Sequence, residues 1–182
     1  MKKEVKLNTK KSIQTTLVKQ SKVSQHKSSA KDLELNLENS LPFLLARAGM
    51  KMGLSFVKEI KKFKLSLIEW RVCAALHHEP HQRLLDVAYH TSSDPSTLSR
   101  TVDGLIKRGL VVRERSDVDA RALELSLTPK GLDVTREIIP FAHLYEKVAL
   151  AGFSGDEANL LRQLLKKIYE NMSSLDHAKG AD

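Results

Sequence analysis

The stretch SSDPSTLSRTVDGLIKRGLVVRERSDVDARALELSLT, Ser92 to Thr128, changes hydrophobic period halfway along. In its first part Leu98, Val102, Leu105 and Ile106 recur at helical spacing, and Asp94 followed by Pro95 supplies an N-cap and a first helical residue. Gly109 suits the left-handed conformation that ends helices. In its second part Leu123, Leu125 and Leu127 alternate with Ala122, Glu124 and Ser126, which predicts a strand with one buried face. LVVRE, just before, supplies a partner strand. The connection RSDVDA is too long for a tight turn, so the hairpin should end in an exposed loop with Arg113, Arg115 and Arg121 at or near its base and tip.

Working upstream, SLIE predicts a capping box between Ser66 and Glu69 and a helix running to about His77. RLLDVAYH reads as a short helix, and TSSD as the polar turn that follows it. Two short helices, a turn and a hairpin over about 64–128 make a winged helix-turn-helix, with the second helix in a major groove and the hairpin at the neighbouring backbone or minor groove. Ser92, Ser93 and Asp94 of the turn, with Ser96, Thr97, Ser99 and Arg100 of the helix, then face DNA. Short hydroxyls permit close approach, and an arginine fork matches guanine O6 and N7.

The flanks are helical too. From Leu41, one apolar stripe runs through Leu44, Leu45, Ala48, Met52, Phe56 and Ile60, and a second through Phe43, Met50, Leu54 and Val57. So much apolar circumference needs cover on more than one side. Thr128 and Pro129 open another helix, which Pro140 should kink or interrupt at Ile139. FSGDE starts the last helix with a Ser154–Glu157 capping box, and Ala158, Leu161, Leu164, Leu165, Ile168, Met172 and Leu175 line one side of it. The simplest partner for these faces is a second copy, with dimerisation helices at about 41–63 and 129–175. The fold class is therefore mostly α with a small β-hairpin wing, in one domain over 32–182.

The chain has 182 residues, 41% of them hydrophobic and 5% aromatic, enough for one core. Residues 1–31 hold nine lysines against Glu4 alone, while the remainder has 21 basic and 21 acidic residues, so the entire charge of +8 sits in this stretch. Its apolar content, too low to fold alone, predicts a disordered basic tail, either a passive extension or a polycation drawn to phosphates. If it lies along phosphates, deleting 1–31 should weaken specific and random DNA alike and flatten the slope of log affinity against log salt. Equal salt slopes for the two proteins would leave the tail passive. No apolar run approaches the ~18 residues of a membrane helix, no signal-peptide core follows the basic start, and Cys73 stands alone, so a cytoplasmic protein is expected.

HTSSDPSTLSRTVDGLIKRGLVVRERSDVDARALELSLTPKG resembles the DNA-binding heart of the MarR family of bacterial regulators, including the wing's Asp119-Ala120-Arg121 and the closing LTPKG. The resemblance implies a homodimer on a pseudo-palindromic operator in double-stranded DNA, with Arg121 probing the minor groove and Asp119 orienting it. LPFLLARAG, LIEWRVCAALH and TSSDPSTLSR are similar to the branch that represses hydroxycinnamate catabolism. That similarity implies release from DNA by a small aromatic acid such as ferulate or p-coumarate, or its CoA thioester.

An inducer site follows from one misplaced charge. Arg47 lies among Phe43, Met50, Leu54 and Val57, while Trp70, Cys73 and His77 share a face of the next helix. Arg47 either snorkels or pairs with an acid such as Glu69, or it receives a ligand carboxylate whose ring packs on Trp70 and Met50 beside His77. Cys73, His77, His78 and His81 could be proposed as a zinc set, but a helical pair and an irregular path past Pro80 make a poor one, and no cofactor is expected. A redox switch at Cys73 runs against its packed surroundings. No phosphate loop, nucleophile elbow or carboxylate pair suggests an enzyme. A nonspecific nucleoid or adaptor protein is the other binding-class alternative, distinguished by its lack of sequence preference and ligand response.

Overall fold

The computed structural model describes residues 35–116, 119 and 121–179, with side chains as far as Ser174. The lysine-rich stretch 1–31, Ala120 and the Leu175 side chain lie outside the described residues. The chain divides between Arg47 and Ala48 into two units. Six helices and one hairpin follow in the order α1 (Leu41–Ile60), a 3-10 turn (Lys61–Phe63), α2 (Leu67–His78), α3 (Leu84–Thr91), α4 (Pro95–Lys107), β1 (Val111–Arg115), β2 (Leu123–Leu127), α5 (Pro129–Ala149) and α6 (Gly155–Lys179). None of these helices is long and apolar enough to cross a membrane.

In the first unit, Arg47 reaches Glu38 at 3.3 Å, and both side chains are exposed. The expected partner Glu69 is engaged elsewhere. Leu41, Phe43, Leu44 and Leu45 are exposed.

The core of the second unit fills the space between α2, α4, the hairpin and α5. Leu76, Leu98, Val102, Leu105, Leu125 and Ile138 are all almost fully buried. The 98, 102, 105 spacing sets one face of α4 inward, as its period predicts. Phe56 and Ile60 are the buried members of the first α1 stripe, with Phe56 tilted against Trp70 at 5.6 Å and edge-on to Tyr145 at 5.6 Å. Along α6, Ala158 is buried and Leu161 and Ile168 are half-buried, whereas Leu164, Leu165 and Met172 are exposed.

Two local expectations change. Pro140 does not interrupt α5, which is continuous from Pro129 to Ala149. The missing N–H forgoes a bond to the carbonyl of Arg136, but Pro140 is exposed, so water can serve that oxygen. In β2, Leu125 is buried and Leu127 half-buried, but Leu123 is 54% exposed. Opposite Arg115, Leu123 lies at the far end of the ladder, past the reach of the core.

The hairpin is pinned to the body at its base and at the middle of β2. Val111 pairs with Leu127 at its base, and Gln82, between α2 and α3, joins β2 through reciprocal bonds with Leu125 of 3.2 and 2.8 Å. The buried Gln82 amide donates to the carbonyls of Ala75 and Glu79 at 2.7 and 2.5 Å, which fixes its orientation and stops α2. At the base, the Thr128 hydroxyl donates to the Gly109 carbonyl at 2.7 Å and accepts from Gly131 N–H at 3.0 Å. Thr128 N–H donates to the Leu110 carbonyl, and Lys130 Nζ to that of Arg108 at 2.9 Å. LTPKG is thus a clamp between the end of α4 and the start of α5.

Candidate nucleic-acid interface

The turn between α3 and α4 is built from the end of one helix and the cap of the next. Ser92 takes the left-handed conformation (φ 50°), and the Ser93 and Ser92 N–H groups return to the carbonyls of Ala88 and Tyr89 in a Schellman arrangement. Asp94 then caps α4, with Oδ1 accepting from the N–H groups of Ser96 and Thr97 at 3.0 Å each and from the Ser96 hydroxyl at 2.7 Å. Hydrogen bonds from Thr97 and Ser96 hold the Asp94 carboxyl well below the usual carboxylate range. A depressed carboxylate contributes its stabilisation above its unfolded value and loses it only as pH falls, so the cap stays charged throughout the neutral range. Asp94, predicted to face DNA, is exposed and caps α4 through Oδ1.

Beyond that cap, Ser96, Thr97 and Arg100 are exposed and Ser99 is half-buried. Arg100 makes no hydrogen bond or ion pair among the described residues. Its guanidinium stands beside short hydroxyls on the face opposite Leu98, Val102 and Leu105, the chemistry that reads base edges.

On the hairpin the three arginines separate. Arg113 reaches Asp103 of α4 at 3.0 Å, tying β1 to the helix rather than standing free. Arg115 and Arg121 are exposed and have no charged partner among the described residues. Asp119 accepts from the Arg121 backbone N–H at 3.1 Å and from the guanidinium of Arg83 at 3.4 Å. It therefore orders the backbone at Arg121 and links the wing to the start of α3, leaving the Arg121 side chain available. Sequence reasoning missed Arg83 and Asp103, since each acts across 36 or 10 residues and only the fold brings them to their partners.

Glu69, expected as a cap and as a partner for Arg47, has Arg108 as its tertiary partner. Its Oε2 closes the capping box of α2, accepting from Ser66 N–H at 2.7 Å, while Oε1 accepts from Arg108 at 2.9 Å just past the end of α4. One carboxylate thus starts one helix and anchors the end of another.

Of the residues expected around an inducer, Trp70 and His77 open on different clefts. Met50 is 65% exposed. Trp70 opens with Ala74, His78 and Thr91 on one cleft, whereas His77 opens with Leu76, Pro80 and Arg136 on another. Phe43 and Arg47 belong to the first unit. Among the described residues no three His, Cys, Asp or Glu are grouped to hold a metal ion.

Cys73 is buried, and burial pushes its thiol up to about 11, against the opposing hydrogen bond with Thr135. At pH 8 the folded thiol should carry about a hundredfold less thiolate than the unfolded one at 9.0. Labelling by a disulfide reagent should accordingly be at least that much slower in native than in denatured protein. Because the folded value is raised, the thiol's contribution to stability is complete below pH 9 and declines from about 9 to 11. Rapid native labelling would restore Cys73 as a redox candidate.

The family model described as MarR family matches residues 63–122, from the end of the 3-10 turn into the wing. Transcriptional repressor MprA of Escherichia coli (strain K12) is 32% identical over 84 residues, 46% of this chain and 48% of that protein. The chain thus spans about half the length of the curated relatives it matches. Among solved structures, a MarR family transcriptional regulator from Silicibacter pomeroyi is similar at a TM-score of 0.69 and 28% identity, covering 76% of this chain and 95% of that one. BpsR of Bordetella bronchiseptica, whose DNA binding is regulated by 6-hydroxynicotinic acid, is similar at 0.66 and 26%, covering 75% and 97%. A family model matched over the winged helix-turn-helix, within a fold shared along most of the chain with a solved MarR family regulator, makes this chain similar to the MarR family of winged helix proteins.

Proposed function

We propose that the protein is a DNA-binding transcriptional repressor that acts as a homodimer on a pseudo-palindromic operator and is released by a small aromatic acid or its CoA thioester. The observation that carries this reading is the exposed Arg100 on the hydroxyl-lined face of a capped helix, with Arg115 and Arg121 exposed on the adjoining hairpin, all three without a charged partner among the described residues. A second copy is the natural cover for the exposed Leu164, Leu165 and Met172 of α6, and a two-fold pair presents two α4 helices to successive half-sites. Regulation of BpsR by an aromatic acid and the likeness of LPFLLARAG and LIEWRVCAALH to the hydroxycinnamate branch support the inducer class. Such a protein works at the nucleoid in the bacterial cytoplasm.

Footprinting and fluorescence anisotropy on the chain's own upstream DNA, with and without p-coumarate, ferulate and their CoA thioesters, test the proposal. A protected two-fold site that is lost on adding one of them is the expected result. Binding without sequence preference and without ligand response would identify a nucleoid-type protein instead.

A further inference from the structure

We infer that the cleft at the junction of α2 and α3 is a binding site for a small organic amine in its ammonium form, of the diamine or polyamine class. The cleft, about 350 Å³, is lined by Glu79, His81, Gln82, Asp86, Tyr89 and His90. That volume lies at the lower end of the ~300–1,000 Å³ of small-molecule sites. Two carboxylates stand in the wall, and no lysine or arginine is among the described residues that line it. The Glu79 carboxylate has no hydrogen bond or ion pair among the described residues, and Asp86 uses only Oδ2, which accepts from Arg83 N–H at 3.1 Å. An independent sign of a missing donor is Gln82, which is 4% exposed. Its backbone N–H and carbonyl are both spent on Leu125, and its Nε2 donates to the carbonyls of Ala75 and Glu79. Its Oε1 is buried with no partner among the described residues. A buried carbonyl oxygen left without a donor is rare, and here it belongs to a residue of the cleft wall.

The chemistry of the lining selects the occupant. Two carboxylates and an amide oxygen want donors, and an ammonium offers three N–H groups together with a charge that suits an aromatic face. The Tyr89 ring is set by edge-on contacts with His90 at 5.5 Å and with Tyr169 of α6 at 5.6 Å. Among the described residues no three His, Cys, Asp or Glu are grouped to hold a metal ion. The acids and imidazoles of the lining are therefore spread out, which suits a molecule with a charge at each end better than one compact ion. The same segment is the seam between the two helices and the wing. His81 N–H donates to Ser126 Oγ at 3.1 Å, Gln82 exchanges two bonds with Leu125, and Arg83 reaches Asp119 at 3.4 Å. An amine held by Glu79, just past α2, and by Asp86, in the first turn of α3, bridges that seam. Such binding is separate from inducer release: it needs no DNA, and it favours the folded, wing-attached state by mass action.

The test uses the full chain with putrescine and spermidine as probes, butanediol as the uncharged analogue of putrescine, and magnesium chloride at matched ionic strength. Calorimetry and two-dimensional NMR read binding, and melting curves read stabilisation. Hydrogen exchange at Leu125 N–H, which donates to the Gln82 carbonyl, reads the seam itself. Both amines should bind, raise the melting temperature and slow exchange at Leu125, whereas butanediol and magnesium should do none of these. Glu79→Gln and Asp86→Asn should each weaken putrescine about tenfold. Glu137→Gln, which removes an exposed acid of α5, should change nothing. Glu79 is exposed and its carboxylate has no partner among the described residues, so Glu79→Gln without amine should melt as wild type does. The site is overturned if neither amine binds, if Glu79→Gln binds putrescine as wild type does, or if magnesium binds in its place with the same dependence on Glu79.

Discussion

Gly131→Ala should destabilise the protein by about 3–5 kcal/mol, the sum of an overpacking strain and of hydrogen bonds lost in relieving it. A Cβ on Gly131 would stand 1.9 Å from the Leu110 carbonyl oxygen and 2.8 Å from its carbon, contacts with backbone that no rotamer change can relieve. Separating the two segments means opening the clamp: Thr128 N–H to Leu110, Thr128 hydroxyl to Gly109 and Lys130 to Arg108. Leu110 is 3% exposed and cannot retreat into the core. The internal control is Gly104, in the middle of α4, where an added Cβ meets nothing within 4 Å. Gly104→Ala should stabilise by up to about 1 kcal/mol through helix propensity alone. Urea denaturation of both variants gives the answer. If Gly131→Ala unfolds within about 1 kcal/mol of wild type, the two segments are not in contact as described.

Arg100→Ala and Arg121→Ala should each cost about 1–3 kcal/mol in operator affinity, and the double variant their sum, because the residues sit on different elements and share no partner. The two losses should differ in kind. Arg100 lies on the helix face opposite the core, so its loss should relax discrimination at one base pair of each half-site. Arg121 lies on the wing, so its loss should weaken binding more evenly across sequences. Neither change should move the melting temperature, since both side chains are exposed and unpaired among the described residues. Anisotropy with the operator and with single-base variants separates the effects, and unchanged affinity in either variant would remove that element from recognition.

Helix starts were legible in the sequence because a cap is a local event. Ser66 with Glu69, Asp94 with Pro95, Thr128 with Pro129 and Ser154 with Glu157 all stand where their spacing puts them. The inward face of α4 was legible for the same reason: period is a property of neighbours. What the chain does at long range was not. Glu69 looks like a cap and is also an anchor for Arg108, 39 residues on. Arg113 reads as a DNA contact and is held by Asp103. Arg47 reads as a charge among apolar neighbours that could pair with an acid, and the acid it meets is Glu38 rather than Glu69. Glycine in LTPKG suggests only a helix start until Leu110 is found against it.

The clamp at Thr128 has a bearing on how such a protein can diversify. Because the two strands leave and rejoin the body at the clamp, and Gln82 with Leu125 and Arg113 with Asp103 tie them to it before the tip, the loop beyond Arg115 and Leu123 is free of the geometry of α4 and α5. Lengthening the segment between Arg115 and Leu123 should cost the entropy of a larger ring, about 0.6 kcal/mol for each doubling, and the exposed contact of Asp119 with Arg83 where the insertion displaces it. A lineage could therefore lengthen, shorten or recharge its wing to suit a new operator while the helices that fix half-site spacing stay where they are, and a designer could graft wings between such proteins by cutting at that same point.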